Sequence, residues 1–310
     1  MASSPLSSCV KRISESPTLA ITAKAAKLKS EGKDIIGLAA GEPDFDTPDF
    51  IKKAAIEAIN NGLTKYTAVT GMPSLKKAVV KKLSKENNLH YEINEVIVGT
   101  GGKQCIFNLC LAILDAGDEV IIPAPYWVSY TDIVELTGAK PIIISCGIEQ
   151  KFKVTPEQLE SSITDKTKLI FINSPSNPTG SVYSKLELKN IADVLLRYPE
   201  IFVATDDIYE KINLDDQPFN NILMVEPKLK MRCIVINGVS KAYSMTGWRI
   251  GYAAGPKDII TAMGNLQSQS TSNPTSISQA AAEAALNSDQ SCIKPMVTTF
   301  KERHSFIVKA

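Results

Sequence analysis

Short apolar runs alternate with helix-like segments through the middle of the chain, and this alternation limits the fold more than any other feature. The apolar runs lie at 95–98, 119–122, 140–145, 168–172, 201–205 and 233–236. Continuous apolar runs of this kind are typical of strands that are buried on both faces. Strands that alternate with helices favour a parallel sheet. The sequence therefore predicts an α/β fold with a mostly parallel sheet that helices cover on both sides.

Helical periodicity and stop signals place the helices between these runs. We predict helices at 19–31, 49–60, 74–87, 103–114, 185–197, 256–263 and 276–286, and a final helix from Ile293 onward. A further short strand is predicted at 34–38, just before a loop rich in turn residues. A chain of 310 residues suffices for one large or two medium domains.

Composition argues against several classes of function. The 34 basic and 33 acidic residues nearly cancel, so charge favours neither nucleic acid nor a membrane surface as a partner. No apolar run reaches the roughly 18 residues of a membrane span. The two histidines, His90 and His304, lack metal-ligand spacing, and the six cysteines form no C-x-x-C pattern. We therefore expect a cytoplasmic protein with reduced thiols, no bound metal and no histidine-based triad.

Chemically suggestive residues follow five of the predicted strands, at the end where parallel α/β sheets bind ligands. They are Gly101-Gly102-Lys103, Trp127, Asn177, Asp206 with Tyr209, and Lys241 with Arg249. Each has an ordinary explanation when taken alone. Glycines make tight strand-to-helix turns, a tryptophan can pack under a loop, Asp207 can cap a helix in place of Asp206, and a lysine can be solvated.

In combination these residues offer an anion cradle, an aromatic ring, a carboxylate, two hydrogen-bond donors and an amine beside a guanidinium. A neighbouring guanidinium lowers the pKa of an amine, as Schiff-base chemistry requires. Glycine-rich turns at a helix N-terminus are suited to phosphate. A phosphorylated aromatic aldehyde with a ring nitrogen and a phenolic oxygen needs this set of groups, and pyridoxal 5′-phosphate is that molecule.

Four motifs in order carry a specific family resemblance: AGEPDFDTP at 40–48, NPTG at 177–180, DDIY at 206–209 and SKAYSMTGWRIG at 240–251. With them the chain resembles the class I, fold-type I aminotransferases. It is most similar to the aspartate aminotransferases of bacteria and plants, from about Ser16 to its last residue. The resemblance implies pyridoxal phosphate as cofactor, amino acids and 2-oxo acids as substrates, and a sheet of the seven-stranded type between helices.

The resemblance also implies how the cofactor ring is held. Lys241 is expected to form the Schiff base and then to act as general acid and base in the proton shift. Asp206 is expected to keep the pyridine nitrogen protonated. Asn177 and Tyr209 are expected to bind the phenolic oxygen, and Trp127 to stack on the ring.

Phosphate contacts are implied for residues from three parts of the chain: Gly101, Gly102, Lys103, Ser240 and Arg249. In addition, Tyr66 is expected to reach the phosphate that the other subunit binds. The resemblance therefore implies a homodimer with shared active sites.

Substrate contacts follow from the same resemblance. The Gly41 backbone is expected to contact the α-carboxylate, together with Trp127 and Asn177, while Lys103 meets a distal carboxylate with help from Ser16. These contacts favour aspartate and 2-oxoglutarate. Ser-Glu-Ser at 14–16, in place of a Lys-Pro-Ser-like segment, argues against prephenate.

Three alternatives remain beside the aspartate aminotransferase. They are a prephenate or aromatic aminotransferase, a β-lyase on the same fold, and an impaired remnant of an aminotransferase. We expect residues 1–46 to form an N-terminal segment and part of a small domain, 47–290 the large cofactor-binding domain, and 291–310 the start of the C-terminal small domain. Members of the family are longer, so the small α/β domain is expected to be incomplete, without the arginine that pairs with the α-carboxylate. Arg303 does not lie in that arginine's motif.

Overall fold

A computed structural model describes residues 5–13, 17–37, 41–214 and 218–310, and of residues 17–19 only the backbone. The described residues contain one seven-stranded sheet with the strand order β1-β7-β6-β5-β4-β2-β3. Its strands are β1 (Val96–Gly99), β2 (Glu119–Ala124), β3 (Lys140–Ser145), β4 (Thr167–Asn173), β5 (Phe202–Asp206), β6 (Cys233–Gly238) and β7 (Gly251–Ala254).

The sheet is mostly parallel, as the alternation of strands and helices predicts. Strands β3, β2, β4, β5 and β6 pair in parallel, whereas β7 runs antiparallel to both β6 and β1. Every residue of β6 is buried, which explains its continuous apolar sequence. The parallel strands therefore end together at one edge of the sheet, where Asn173, Asp206 and Gly238 lie.

The helices are α1 (Pro17–Ser30), α2 (Asp49–Asn60), α3 (Pro73–Asn87), α4 (Gly102–Ile113), α5 (Ser129–Thr137), α6 (Pro156–Ser162), α7 (Lys185–Leu195), α8 (Ile222–Val225), α9 (Lys257–Ser268), α10 (Ser276–Asn287) and α11 (Ile293–Lys309). Short 3₁₀ turns lie at Val10–Arg12, Ile93–Glu95, Ile148–Gln150, Pro227–Arg232 and Thr246–Trp248. None of the helices in the described residues is both long and apolar enough to cross a membrane.

Two apolar cores lie on opposite faces of the sheet. Along β4, Ile170 and Ile172 belong to one core while Leu169 and Phe171 belong to the other, because successive strand residues point to opposite faces. Helices α2, α3, α7 and α10 contribute to the first core. Helices α4, α5 and α9 contribute to the second. The sheet is thus sandwiched between helical layers, as predicted.

Local capping interactions define several helix ends. Ser184 begins α7 with a capping box, since its hydroxyl accepts from Glu187 N while the Glu187 carboxylate accepts from Ser184 N. Thr155 and Gln158 form the same reciprocal pair at α6. Gly32 follows α1 with a φ of +79°, the left-handed conformation that ends many helices.

Some predicted elements differ from the structure. Residues 34–37 form no strand, and Ile36 is 85% exposed, because no strand among the described residues lies there to accept its backbone hydrogen bonds. Position 38 lies outside the described residues. Asp207 does not cap a helix. It is buried and accepts hydrogen bonds from Thr205 and Asn221. Helix α9 also continues beyond its predicted end at 263, to Ser268.

Candidate active site

A cleft of about 700 Å³ opens at the carboxyl ends of the parallel strands. It is lined by residues from strand ends, from the first turn of α4 and from the loop before α2. The lining includes ten of the residues that the sequence singles out: Gly41, Gly102, Lys103, Trp127, Asn177, Asp206, Tyr209, Ser240, Lys241 and Arg249. Residues up to 208 positions apart therefore meet in one cavity.

Lys241 extends into this cleft from the turn that follows β6. Its Nζ donates to the Gly41 carbonyl oxygen at 2.5 Å and lies 5.6 Å from the centre of the Tyr209 ring. Burial lowers the Lys241 pKa, the Glu42 carboxylate opposes this effect, and the Arg249 guanidinium adds to it. A lowered pKa raises the fraction of neutral amine, which is the nucleophilic form.

Asp206 ends β5 as a carboxylate that is only 5% exposed. Its Oδ2 accepts the Tyr130 hydroxyl at 2.6 Å, and its Oδ1 accepts the Ile208 backbone N–H at 3.3 Å. Burial raises the pKa of Asp206, and these two hydrogen bonds oppose the rise. Within the described ranges no cation forms an ion pair with Asp206. A protonated nitrogen of a ligand would supply the positive partner that a buried carboxylate needs.

Tyr209 and Asn177 lie together near this carboxylate. Burial, followed by the Asp206 carboxylate, raises the pKa of Tyr209 to about 12, and a hydrogen bond with the Asn177 side chain works against the rise. The Asn177 backbone N–H donates to Asn173 Oδ1 at 2.7 Å, while Asn173 Nδ2 donates to the Asp206 carbonyl oxygen at 2.8 Å. Asn173 thus joins the ends of β4 and β5 and holds the Asn177 backbone beside Asp206.

The glycines at 101 and 102 bring the backbone of the α4 N-terminus close to β7. A Cβ atom on Gly251 would lie 2.2 Å from Gly102 N, so only glycine fits at position 251. Gly101 has a φ of +87°, and a Cβ there would meet Arg249 Nη2 at 2.4 Å. The first N–H groups of α4 and the Arg249 guanidinium therefore converge. This arrangement is suited to an anion such as phosphate.

Lys103 lies above the Trp127 ring, with Nζ 4.8 Å from the ring centre. Burial lowers the Lys103 pKa, the Arg249 guanidinium lowers it further, and Asp132 opposes both. Trp127 also packs edge-on against Tyr130 with 5.5 Å between ring centres. The Lys103 side chain thus places a cation at the wall of the cleft, within reach of the Arg249 guanidinium's charge.

Two further predicted residues, Gly101 and Tyr66, do not line the cleft. Gly101 borders the cradle through Arg249 without lining the cleft. Tyr66 does not line the cleft and is 92% exposed. Ser16 lies outside the described residues. The chain by itself therefore brings together the predicted ring and anion contacts, except for Tyr66.

Sequence reasoning missed several residues that line the cleft, among them Tyr126, Tyr130, Asn173 and Thr246. Tyr130 contacts Asp206 directly. A weak signal existed, since the aromatic residues at 126–130 follow a strand that points at the site. That pattern does not distinguish a tyrosine below the cleft from one that lines its wall.

The donor set of this cleft fits pyridoxal phosphate. The anion cradle matches a phosphate, the buried Asp206 carboxylate matches a protonated ring nitrogen, and Tyr209 with Asn177 matches a phenolic oxygen. Lys241, with its lowered pKa, matches the aldehyde.

Comparison with known proteins agrees with this geometry. The profile of the family "Aminotransferase class I and II" matches residues 33–310. The chain is 62% identical over 305 residues to an aspartate/prephenate aminotransferase of Nitrosomonas europaea, covering 98% of this chain and 77% of that protein. It is 53% identical over 303 residues to one of Cereibacter sphaeroides, covering 98% and 76%.

Solved structures give the same result. The crystal structure of the aspartate aminotransferase from Rhizobium meliloti superposes with a TM-score of 0.96 at 49% identity, over 99% of this chain and 77% of that one. The Thermus thermophilus aspartate aminotransferase with maleate gives a TM-score of 0.91 at 41% identity, over 97% and 77%. With nearly the whole chain matched by sequence and by fold, this protein belongs to the class I and II aminotransferases.

Proposed function

We propose that this aminotransferase uses pyridoxal 5′-phosphate to transfer the amino group of L-aspartate to 2-oxoglutarate, giving oxaloacetate and L-glutamate. One observation carries the proposal: a lysine with a lowered pKa faces the same cleft as a buried carboxylate that forms no ion pair with a cation among the described residues. When bound, the cofactor supplies an electron sink that stabilises negative charge at the α-carbon of an amino acid.

The proposed cofactor contacts follow from the cleft. The N–H groups of Gly102 and Lys103, the Ser240 hydroxyl and the Arg249 guanidinium hold the phosphate beside the close turn at Gly101. Asp206 holds a proton on the ring nitrogen, and Tyr130 helps to keep the Asp206 carboxylate ionised by donating to it. Trp127 covers the ring and excludes water from it.

Catalysis in this proposal rests on proton transfers by Lys241. With the cofactor bound, Lys241 would hold its aldehyde, and the free Lys241 amine would act as general base toward the proton on the substrate α-carbon and as general acid when it returns that proton. Tyr209 and Asn177 donate hydrogen bonds to the phenolic oxygen. Asp206 stays ionised throughout, because its charge stabilises the protonated ring nitrogen.

A dicarboxylic substrate suits the cleft because the cleft contains a second cation, Lys103, beside the anion cradle. Lys103, whose Nζ lies over the Trp127 ring, is proposed to pair with a distal carboxylate. The Gly41 backbone, with Trp127 and Asn177 of the same cleft, is proposed to contact the α-carboxylate, and Ser16 is proposed to assist Lys103. The Thermus relative was solved with maleate, which is itself a dicarboxylate.

Prephenate is a second candidate substrate. Two of the relatives are named aspartate/prephenate aminotransferases, so the sequence at 14–16 is a weak argument against this activity. Prephenate, like 2-oxoglutarate, carries two carboxylates that Lys103 and the α-carboxylate site could bind. Assays with prephenate as amino acceptor and aspartate as donor separate an enzyme that uses both acceptors from one restricted to 2-oxoglutarate.

The exposed Tyr66 supports a homodimer with shared sites. Its ring is 92% exposed on a loop away from the cleft of its own chain. Exposed aromatic rings on ordered loops often anchor interfaces. We propose that Tyr66 reaches the phosphate bound by the partner subunit.

The proposed domain division, with 47–290 as the cofactor-binding domain, has support at its boundaries. Arg303 of α11 pairs with Asp44 at 2.7 Å, and Phe300 packs edge-on against Phe45 with 5.4 Å between ring centres. Residues before 47 and after 290 therefore contact each other, as parts of one smaller domain would. Limited proteolysis should cut at these boundaries and leave the 47–290 region intact.

A spectroscopic titration tests the proposed function. Pyridoxal phosphate added to the protein should give a visible absorption band, which L-aspartate should remove and 2-oxoglutarate should restore. Lys241→Ala should abolish the band, whereas Lys257→Ala, at an exposed lysine that begins α9, should keep it. Absence of the band in the unaltered protein would overturn the cofactor assignment. A band that aspartate leaves unchanged would overturn the substrate assignment.

A further inference from the structure

Two fully buried glutamines hold the loop that follows Tyr66. Gln267 lies on α9 and Gln279 on α10, and both side chains are 0% exposed. Both direct their amide groups at residues 67–72, which we call the Tyr66 loop. Burying an amide costs folding free energy unless the amide is hydrogen-bonded. The hydrogen bonds of these two glutamines therefore indicate that holding the loop is their role.

Gln279 joins the two ends of the Tyr66 loop. Its Oε1 accepts the Met72 backbone N–H at 2.7 Å, and its Nε2 donates to Thr67 Oγ1 at 3.0 Å. Nε2 also donates to the Pro274 carbonyl oxygen at 2.8 Å, which fixes the side chain to its own helix start. A single side chain thus sets the distance between the first and last residues of the loop.

Gln267 joins the middle of the loop to β1. Its Nε2 donates to the carbonyl oxygens of Val69 at 2.7 Å and Val98 at 2.8 Å, and its Oε1 accepts from Asn108 Nδ2 at 3.1 Å. Val98 precedes the glycines of the anion cradle. Gln267 therefore supports both the Tyr66 loop and the cradle of its own chain. The hydrogen bonds of Gln279 go instead to the two ends of the loop and to Pro274.

Close packing leaves the Tyr66 loop little room to move. A Cβ atom on Gly71 would lie 2.6 Å from the Val98 side chain, and one on Gly264 would lie 2.8 Å from Thr70 Cγ2. The Val98 N–H also donates to the Thr70 carbonyl oxygen at 3.0 Å. Tyr66 is thus presented outward, 92% exposed, from a loop that is fixed on its inner side.

We propose that Gln279 is a positioning residue for the active site of the partner subunit. By holding Thr67 and Met72 it fixes the direction in which Tyr66 leaves the surface, and so aligns the Tyr66 hydroxyl with the phosphate bound by the second copy. This inference rests on the shared-site homodimer proposed above. It predicts an effect of Gln279 across the interface, whereas a purely structural residue would affect its own chain.

Mixed dimers of the full chain, purified through two different tags, test this inference. In the first dimer, one copy carries Lys241→Ala and the other carries Gln279→Met. The competent lysine then lies in the Gln279→Met copy, and its site receives an unaltered Tyr66 loop. In the second dimer, one copy carries both substitutions and the other is unchanged. The competent site then receives the altered loop. Lys241→Ala paired with an unchanged copy is the reference.

The readout is the pyridoxal phosphate concentration that gives half of the visible band, which reports only the site with Lys241. We expect the second dimer to need about tenfold more cofactor than the reference, and the first to stay within about twofold, since misplacing one contact weakens a preorganised site. Equal weakening in both dimers, or none in the second, would overturn the inference. Gln267→Met should weaken both dimers, because Gln267 also holds the cradle strand.

A milder variant covers the case in which Gln279→Met does not fold. Thr67→Val removes one of the Gln279 contacts at a half-buried position and should give the same pattern with a smaller shift.

Tyr66→Phe in the same two arrangements tests the shared site itself. If Tyr66→Phe weakens only the site of its own chain, the shared site and the role of Gln279 both fail. If it acts across the interface while Gln279→Met weakens both dimers equally, only the role of Gln279 fails. Loss of the band in the reference dimer would instead contradict the proposed cofactor.

Discussion

Tyr130 donates its hydroxyl to Asp206 Oδ2 across 2.6 Å, and both side chains are almost fully buried. Tyr130 comes from α5 and stacks on Phe171 of β4 with 4.5 Å between ring centres, so its hydroxyl has a fixed direction. Burial raises the Asp206 pKa, and the bond from Tyr130 is the largest of the effects that oppose the rise. Tyr130 therefore helps to keep this carboxylate charged.

Replacing Tyr130 by phenylalanine should raise the Asp206 pKa further, because the charged form loses a donor. Asp206 must be ionised to hold a protonated ring nitrogen, so the acid limb of the kcat/KM profile should move to higher pH. On that limb we expect roughly tenfold lower kcat/KM, since a hydrogen bond to a charged group contributes about 1.5–3 kcal/mol. A pH series of initial rates measures the shift.

Tyr91→Phe is the matched control for that series. Tyr91 is also buried, but in the described part of the chain its hydroxyl has no hydrogen-bond partner. Its removal should leave the acid limb in place. An acid limb that stays in place in Tyr130→Phe as well would contradict the role given to Tyr130.

Asp206 and Tyr130 also mark what the sequence could and could not predict. Asp206 was predictable because an acidic residue directly after a buried apolar run must lie at a strand end. Tyr130 was not, since it belongs to a short helix, and the sequence does not distinguish which aromatic residue after β2 turns beneath the cleft. Gln279 was missed for a related reason, because polar residues on helices usually face solvent. Gln267 was missed because it lies beyond the predicted end of its helix at 263.

The strands show the same limit. Runs such as 233–236 were predictable because burial on both faces demands continuous apolar residues. The strand β7 was not predicted, since Gly251–Ala254 is short and becomes a strand only through antiparallel pairing with β6 and β1. At 34–37 the opposite holds. The local pattern at 34–37 favours a strand, but no strand in the described part of the chain pairs with this segment. Tertiary pairing therefore decides the short elements.

Glu42→Gln should lower the pKa of Lys241. The Glu42 carboxylate raises that pKa, in opposition to burial and Arg249, and glutamine removes the charge while it can still accept from Thr246 Oγ1. A lower pKa leaves more Lys241 neutral at a given pH. The rate of cofactor capture increases with pH as Lys241 loses its proton, so in Glu42→Gln this increase should occur at lower pH. Stopped-flow measurements of the visible band across a pH series would follow this.

Asp46→Asn serves as the control, because Asp46 lies on the same exposed loop and is not among the groups that shift the Lys241 pKa. If both variants move the capture profile equally, the change reflects net charge and not the neighbourhood of Lys241.

Gly251→Ala should disrupt the anion cradle. Its new methyl group would meet Gly102 N at 2.2 Å and Gly101 C at 2.5 Å, so the first turn of α4 must move away from β7. We expect roughly 100-fold weaker cofactor binding and a loss of about 1–3 kcal/mol in unfolding free energy, as overpacking and a misplaced site both predict. Cofactor titration and thermal unfolding measure the two effects.

Gly247→Ala is the companion variant, since a Cβ atom there has no neighbour within 4 Å. It should bind the cofactor nearly as well as the unaltered protein. Equal loss in both variants would mean that flexibility of the 240–251 segment matters more than the close approach at Gly251.

Lys82 and Glu210 form a buried ion pair whose loss should be costly. Their side chains are 4% and 7% exposed, and Asn87 bridges them, accepting from Lys82 Nζ at 2.8 Å and donating to Glu210 Oε2 at 3.1 Å. Lys82→Met should cost about 3–5 kcal/mol in unfolding free energy, because it leaves the Glu210 charge buried without its cation. Urea unfolding monitored by circular dichroism measures the loss.

Two comparisons isolate the effect of the buried charge. The double variant Lys82→Met/Glu210→Leu should recover most of the lost stability, because it removes the unpaired charge and fills the space with apolar atoms. Lys52→Met, at the exposed Lys52–Asp49 pair with side chains 41% and 83% exposed, should cost no more than about 1 kcal/mol.

Since Glu210 directly follows Tyr209, Lys82→Met should also alter the visible spectrum of the bound cofactor, and the double variant should restore it. Similar losses for Lys82→Met and Lys52→Met would show that the buried pair does not stabilise the turn that carries Tyr209.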